Sequence, residues 1–347
     1  MKKVVIGLSG GIDSIMAAVM LKDQGFDVVG IHFSFINEKH PEKWSDISKK
    51  LQIPIENIDI TSDFQIVKQH FANEYLRGRT PSPCTFCNRV IKWSKLIEYA
   101  DKNNCDYVSS GHYIRIKEYN GLYHLQKGID NVKDQSYFMW ELKADTIKRM
   151  ITPLGNYTKQ QVREYAISKG FNDLATRKES MGVCFLHNTD YRNFLRDYIP
   201  DKMKEINSGK VVDEDNKDIG THEGYIHYTI GQKRGLNINE SRQAYVTEID
   251  SEKNILKIGE KKSLNHYNII LKDLNIINPD LLVVGSHVMV NVRGLGLNPE
   301  EPAIVKSINN FVELELSKPA WAVAPGQPVV LYDSEIVLGG GIAEKSW

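Results

Sequence analysis

Two groups of residues in this chain are of types and spacings that do chemistry. The first is Ser9-Gly10-Gly11-Ile12-Asp13-Ser14, reached directly from the apolar run Val4, Val5, Ile6 and Leu8. Glycines at 10 and 11 let the backbone turn tightly and bring N–H groups close to an anion, while Ser9 and Ser14 add hydroxyls for phosphate oxygens. The second group is the thiols: Cys84 and Cys87 in Thr80-Pro81-Ser82-Pro83-Cys84-Thr85-Phe86-Cys87-Asn88-Arg89, and Cys184 in Ser180-Met181-Gly182-Val183-Cys184-Phe185-Leu186. Thiolates are nucleophiles and metal ligands, so two or three meeting across one site would serve covalent transfer or metal binding. Cys105 enters an apolar strand and reads as a small core residue. Four cysteines in 347 residues are too few for a disulfide scaffold.

The first group needs a strand to deliver it and a helix to follow it. Ile15, Ala18, Val19 and Leu21 recur at helical spacing up to Gly25, and Asp27 to Ser34 reads as a second strand, giving a β-loop-α-β unit. The helix N-terminus adds free N–H donors and the positive end of a dipole, and Asp13 could also cap it. The loop has neither G-x-x-x-x-G-K-[ST] nor the dinucleotide spacing G-x-G-x-x-G. S-G-G-x-D-S directly after an N-terminal strand resembles instead the loop of the pyrophosphate-loop ATP hydrolases. That resemblance implies cleavage of ATP between the α and β phosphates, the AMP activating a carbonyl or carboxyl oxygen. Around Cys84 and Cys87, two prolines exclude a regular helix before one that starts near Asn88, with Arg89 and Lys92 favouring a thiolate near its N-terminus.

Length predicts two or three domains, and 41% hydrophobic with 25% charged residues describes a soluble globular chain. No stretch is long and apolar enough to cross a bilayer, and the N-terminus runs into a strand instead of a cleavage site, so a cytoplasmic protein with no membrane partner is expected. Net charge is zero, yet residues 1–200 hold 28 Lys and Arg against 23 Asp and Glu, leaving 16 against 21 for the rest. Arg77, Arg79, Arg89, Lys92 and Lys95 fall in a stretch without a carboxylate, and Lys143, Lys148, Arg149, Lys159, Arg163, Lys169, Arg177 and Lys178 form a second basic region. Each run suits either a solvated face or a phosphate backbone. Thr158 and Gln161 form a capping box for a helix that runs to Gly170. Beyond about residue 205, short apolar runs broken by turns predict two small β domains, with Tyr225–Ile230, Gln243–Ile249 and Ile255–Ile258 in the first. His287–Val292, Ala303–Ile308, Val312–Leu316 and Pro328–Tyr332 fall in the second.

Seven further stretches sharpen the resemblance: G-R-T-P-S-P-C-T-F-C-N-R-V-I-K-W (78–93), S-G-H-Y (110–113), K-D-Q-S-Y-F (133–138), P-L-G (153–155), M-G-V-C-F-L (181–186), Y-T-I-G-Q-K-R-G-L (228–236) and A-P-G-Q (324–327). In order and spacing the chain resembles the bacterial tRNA-specific 2-thiouridylases of the MnmA type. The resemblance implies an α/β fold: an N-terminal parallel-sheet pyrophosphate-loop domain, adenine nucleotide alpha hydrolase-like, over 1–200 with a helical extension, a central β domain over 205–267, and a barrel-like β domain over 268–347. It implies ATP with Mg²⁺ on Gly7, Leu8, Ser9, Gly10, Gly11, Ile12, Asp13 and Ser14, with Phe33 and Gly111 near the adenine. Cys184 would receive sulfur as a persulfide, and Cys87 would complete transfer to C2 of the adenylated wobble uridine, the two ending as a disulfide. The anticodon arm of tRNA would meet Ser82, Pro83, Cys84, His112, Lys133, Asp134, Gln135, Arg293, Gly294 and Gln327. A sulfur-donor or relay protein is an implied partner, and no stable oligomer is expected.

The chain departs from the family's T-P-N-P-D, with Ser82 for the Asn and Cys84 for the Asp, which removes a carboxylate from beside the target base. The segment Phe35–Ile53 is shorter than usual, and Arg293 is followed by Gly-Leu-Gly. Cys84, Cys87 and Cys184 also equal the three thiolates on which related thiolases hold a [4Fe-4S] cluster, and zinc would need a fourth ligand such as His187. A small-molecule adenylating ligase would need only the loop, and a non-catalytic RNA-binding relative only the β domains.

Overall fold

The run Lys3–Gly7 is a strand, β1, because Val4, Val5 and Ile6 are sheathed on both faces and fully buried. The computed structural model describes residues 1–347 apart from 36–40, 120, 179–181, 187–188, 239–243, 278, 295 and 297, with the side chains of 41–43 and 237 also excepted. Helix α1 (Ile12–Asp23) buries Ile15, Met16, Ala17, Ala18, Met20 and Leu21, so it is apolar almost all round, as a helix enclosed on both sides must be. Then come β2 (Asp27–Ser34), α2 (Pro41–Leu51), β3 (Ile55–Asp59), α3 (Gln65–Leu76) and α4 (Pro83–Cys87). A π-helical turn over Asn88–Lys92 joins α4 to α5 (Trp93–Lys102). They are followed by β4 (Tyr107–Ser110), the hairpin β5 (Ile114–Tyr119) and β6 (Leu122–Lys127), α6 (Ala144–Lys148), β7 (Met150–Ile151), α7 (Lys159–Ser168) and α8 (Asn172–Thr176).

Contacts divide the chain into two units. Met1–Ile66, Cys84–Ser180 and Glu335–Leu338 form the first, and Val67–Pro83, Met181–Ser334 and Gly339–Trp347 the second. The first is built on a parallel sheet of order β3-β2-β1-β4-β7. Strand order reverses between β1 and β4, and the loops leaving their carboxyl ends face one crevice, the place where open parallel sheets take ligands. Val162 and Ala166 of α7, Ala175 of α8 and Phe171 between the two helices join α1 and β1 in one apolar cluster, each large side chain contributing about 1.5–3 kcal/mol.

The second unit continues with α9 (Tyr191–Tyr198) and α10 (Pro200–Glu205), then β8 (Gly209–Val212), β9 (Asp218–His222), β10 (Asn237–Ile238), β11 (Tyr245–Asp250) and β12 (Ile255–Gly259) in a sheet of order β10-β9-β8-β12-β11. Strands β13 (Asn265–Ile276), β14 (His287–Asn291), β15 (Ala303–Ile308), β16 (Val312–Trp321), β17 (Pro328–Asp333) and β18 (Ile336–Ser346) run β13-β16-β15-β14-β17-β18, and pairing of β13 with β18 closes a barrel. Tyr225–Ile230 is not the expected strand: Tyr225–His227 is a 3-10 turn entered through Gly224 at φ 127°, a backbone that breaks an extended run. Gln243, the expected start of the next strand, lies outside the described residues. Among the described residues no helix is long and apolar enough to cross a membrane.

Candidate active site

The loop between β1 and α1 is held by its own hydroxyls. Ser14 Oγ accepts from Ser9 N–H at 3.1 Å and donates to Gly11 O at 3.1 Å, and Ser9 Oγ accepts from Gly11 N–H at 3.3 Å. Gly10 sits at φ +76°, and Gly11 caps α1 with extended backbone and no side-chain cap bond. Leaving the first turn of a helix uncapped keeps N–H donors for an anion, at the positive end of the dipole. Gly111, one residue past β4, packs against this turn: a Cβ there would lie 2.5 Å from Ser14 N and 2.7 Å from Asp13 C. Phe33 is half-buried near the carboxyl end of β2.

Asp13 is the hub. Lys159 Nζ donates to Oδ1 at 2.7 Å and Oδ2 at 2.8 Å, and the Tyr113 hydroxyl donates to Oδ1 at 2.7 Å. Neither partner was legible as a site residue; the Thr158–Gln161 capping box that starts α7, present as expected, is the device that places Lys159. From Tyr113 the network runs on: its N–H donates to Gln135 Oε1 at 3.0 Å, and its carbonyl accepts from Gln135 N–H at 3.1 Å. Asp134 accepts from Gly128 N–H, Ser136 N–H and Ser136 Oγ, while burial pushes its carboxyl up. Asp134 and Gln135 are therefore spent on their own loop, and Lys133 N–H joins the loop's turn on Asp130. The next residues hold the thiol helix: Asn88 Nδ2 donates to Phe138 O at 2.9 Å, Trp93 Nε1 to Met139 Sδ at 3.2 Å, and Arg89 pairs with Glu141 at 3.2 Å. Segment 133–141 thus brackets the phosphate loop on one side and Cys84–Cys87 on the other.

His112 Nδ1 lies 2.7 Å from Ser110 Oγ. Burial, with the Lys92 ammonium beside it, pushes its pKa down to about 3, so the ring is neutral near pH 7.

The thiols differ from the sequence expectation in one respect. The helix begins at Pro83, not near Asn88, because proline at the first helical position has no N–H to lose there. Cys84 occupies its first turn, half-buried, and Cys87 is the last residue of the same short helix, buried. Cys105 is buried, and burial raises its pKa. Cys184 opens a 3-10 turn and is exposed; the next residue, Phe185, anchors that turn in a ring cluster with Phe71 (5.3 Å) and Phe194 (4.9 Å). Met181 and the zinc candidate His187 lie outside the described residues. Among the described residues no three His, Cys, Asp or Glu side chains are grouped to hold a metal ion; one turn of α4 supplies two thiols, and Cys184 belongs to the second unit.

The remaining expected RNA positions lie in the second unit. Ser82 and Pro83 follow Thr80, whose N–H donates to Pro325 O at 2.8 Å. Gln327 Oε1 accepts from Ala324 N–H at 3.1 Å, closing its own turn through Gly326 at φ +90°. Arg293 Nη2 donates to Ala322 O at 2.9 Å and the guanidinium stacks over Trp321, with Gly294 half-buried beside it. These three positions serve the turns of the barrel in this structure. The basic runs are also partly internal: Arg77 and Arg79 pair with Glu74, Arg79 also with Glu344, Lys95 with Asp63, Arg149 with Asp101 and Lys169 with Asp23.

A parallel sheet that offers an uncapped glycine loop at its switch point is an α/β domain with an anion site, the arrangement that the S-G-G-x-D-S loop shares with the pyrophosphate-loop class. The chain matches the domain family described as tRNA methyl transferase HUP domain over residues 2–188, the tRNA methyl transferase PRC-barrel domain over 192–260, and the aminomethyltransferase beta-barrel domain over 268–343. It is 38% identical over 345 residues to tRNA-specific 2-thiouridylase MnmA 2 of Phocaeicola vulgatus, covering 98% of this chain and 97% of that one. The MnmA proteins of Amoebophilus asiaticus (99% of this chain, 96% of that one) and Clostridium acetobutylicum (98% and 99%) are each 36% identical to it. The chain belongs to the MnmA family of tRNA-specific 2-thiouridylases, which are tRNA-uridine 2-sulfurtransferases.

Proposed function

We propose that the protein thiolates C2 of the wobble uridine in tRNA by adenylation and sulfur transfer. The observation that carries this reading is one chain, matched end to end by 2-thiouridylases, that holds both an uncapped phosphate loop and thiols at 87 and 184. The loop N–H groups and Ser9 bind the phosphates of ATP, with Mg²⁺ neutralising phosphate charge when bound, and Asp13, fixed by Lys159 and Tyr113, sets the first turn of α1. The C2 oxygen of the uridine attacks the α-phosphate, pyrophosphate leaves, and C2 now carries AMP as a good leaving group. Cys184, exposed to a donor protein, receives sulfur as a persulfide. That outer sulfur adds to C2 and Cys87 then attacks Cys184 Sγ, breaking the S–S bond so that the sulfur stays on C2, or Cys87 first displaces it from Cys184 as hydrosulfide that adds to C2. AMP departs, and the Cys87–Cys184 disulfide left behind is reopened by an external thiol reductant.

The reading further assigns residues 1–200 to a catalytic domain, 205–267 to a central β domain and 268–347 to a barrel holding the anticodon arm in the cytoplasm, supported by the separate family matches. The test is nucleoside mass spectrometry of tRNA from cells lacking the protein, complemented with wild type, Cys84→Ala, Cys87→Ser or Cys184→Ser. Thiouridine that returns only with Cys87 and Cys184 intact supports the proposal; no change in any thiolated nucleoside on deletion, with no paralogue present, sinks it. The Cys84→Ala arm separates routes. Activity without Cys84 removes the three-thiol cluster and leaves the persulfide route.

A further inference from the structure

The run Tyr228–Leu236, which the chemistry above leaves unused, lines a cavity of about 570 Å³ with α9, entirely within the second unit. Three guanidinium groups border it, those of Arg192, Arg196 and Arg234, with His227 and Gln232; the carboxylate on its lining is Glu223. Arg192 is part of the wall, its Nε donating to His227 O at 2.9 Å and its Nη1 to Asp190 Oδ2 at 3.3 Å. Arg196 and Arg234 are exposed, and among the described residues their side chains form no ion pair or hydrogen bond.

The like charges of Arg196 and Arg234, beside the wall-bound Arg192, repel each other and favour an anion between them. A second observation reports the same field. His227 Nδ1 is buried with no hydrogen-bond partner among the described residues, and after burial the next causes that hold its pKa down are Arg192 and Arg196. The cavity also offers no open ring for a base to stack on: Tyr228 is buried and its hydroxyl donates to Gly235 O at 3.2 Å. Arg196 further lines a neighbouring cavity of about 630 Å³ with Phe185 and Leu186, the two residues after Cys184. Arg196 thus borders both the cationic cleft and a cavity lined by the two residues that follow the exposed thiol.

We propose that this cleft is a binding site for the ribose-phosphate backbone of the RNA substrate, with phosphates on Arg196 and Arg234, holding the strand beside the Cys184 loop. It deepens the function proposed above and rests on that function's RNA substrate. Contacts of this kind give affinity and register without reading bases, so they would serve every tRNA the enzyme accepts.

The test is binding of unmodified tRNA to the full chain by fluorescence anisotropy across a KCl series. For Arg196→Gln/Arg234→Gln, the dissociation constant should rise roughly tenfold and the slope of log K against log[KCl] flatten by about one to two, near 0.7–0.9 per phosphate released. Arg196→Lys/Arg234→Lys should keep the wild-type slope, and ATP binding measured without tRNA should not change in either variant. Affinity within twofold of wild type in the Gln variant overturns the proposal. So does an affinity loss with an unchanged slope, or one that Lys does not rescue, since both describe local misfolding. A wild-type chain with no salt-dependent affinity for tRNA overturns the RNA reading itself, a result distinct from all of these.

Discussion

Lys159 and Asp13 are 146 residues apart in the chain and meet as a forked ion pair, Nζ lying 2.7 and 2.8 Å from the two carboxylate oxygens. The pair is asymmetric in exposure, 9% for the lysine side chain and 32% for the aspartate, and that asymmetry sets which loss costs more. Removing the carboxylate takes the opposite charge away from an ammonium that water barely reaches; removing the ammonium leaves a carboxylate that water and the Tyr113 hydroxyl still solvate. Asp13→Ala should therefore destabilise by about 2–4 kcal/mol and Lys159→Ala by about 1–2 kcal/mol in urea titration. Equal costs would show that the pair is no more buried at one end than at the other.

Gly111→Ala tests how tightly the β4 loop fits the phosphate loop. The added methyl would lie 2.5 Å from Ser14 N and 2.7 Å from Asp13 C, and both are backbone atoms that cannot swing aside. Relief requires moving the first turn of α1, at about 1–3 kcal/mol, and with it the N–H groups aimed at phosphate. ATP affinity, read by calorimetry, should fall at least about tenfold while circular dichroism stays native. Undiminished affinity would mean that this turn does not hold the nucleotide.

The phosphate loop was legible because its requirement is local: glycine at a positive φ, small hydroxyl residues, and an apolar run on either side. β2 and the barrel strand Ala303–Ile308 were legible for a related reason, since their apolar runs sit between turn residues. Long-range partners were not. Arg79 stands in a stretch without carboxylates, yet Glu74 and Glu344 reach it, 265 residues separating it from the latter. Lys159 looked like one more cation in a basic region, and only the fold shows it bound to Asp13. Strand β18 was missed because Gly339-Gly340-Gly341 reads as loop, while its burial on both faces removes the alternation that marks a strand. At Lys133, Asp134 and Gln135 the local sequence is polar, and only the fold shows the Asp134 and Gln135 side chains turned inward onto Ser136 and Tyr113.

His112 makes stability depend on pH. Its folded pKa of about 3 lies below the ordinary 6.5, so between those values the unfolded chain binds a proton that the folded chain refuses. Its contribution is full above pH 6.5 and is lost as pH falls toward 3, at most about 1.4 kcal/mol for each pH unit. Compared with wild type, His112→Gln should show a shallower fall of unfolding free energy between pH 6 and 4, by up to one proton, in chemical denaturation at each pH. Parallel curves for the two proteins would show that the imidazole is as easily protonated folded as unfolded.

The thiols give the last prediction, because the proposed route needs one to meet a donor protein and the other to stay shielded. Cys184 is exposed, Cys84 half-buried, and Cys87 and Cys105 buried, with burial holding the Cys105 proton on. Alkylation requires an accessible thiolate, so iodoacetamide should label the native protein in the order Cys184, then Cys84, then Cys87 and Cys105, with Cys184 ahead of Cys87 by at least about tenfold. Peptide mass spectrometry of a labelling time course reads all four rates at once. Blocking Cys184 should remove thiolation in step with its modification and leave ATP binding intact, since the proposed route uses this thiol to carry sulfur and not to hold phosphate. Labelling of Cys87 as fast as Cys184 would contradict the division of labour, because a sulfur acceptor and a shielded releasing thiol cannot then be told apart by access.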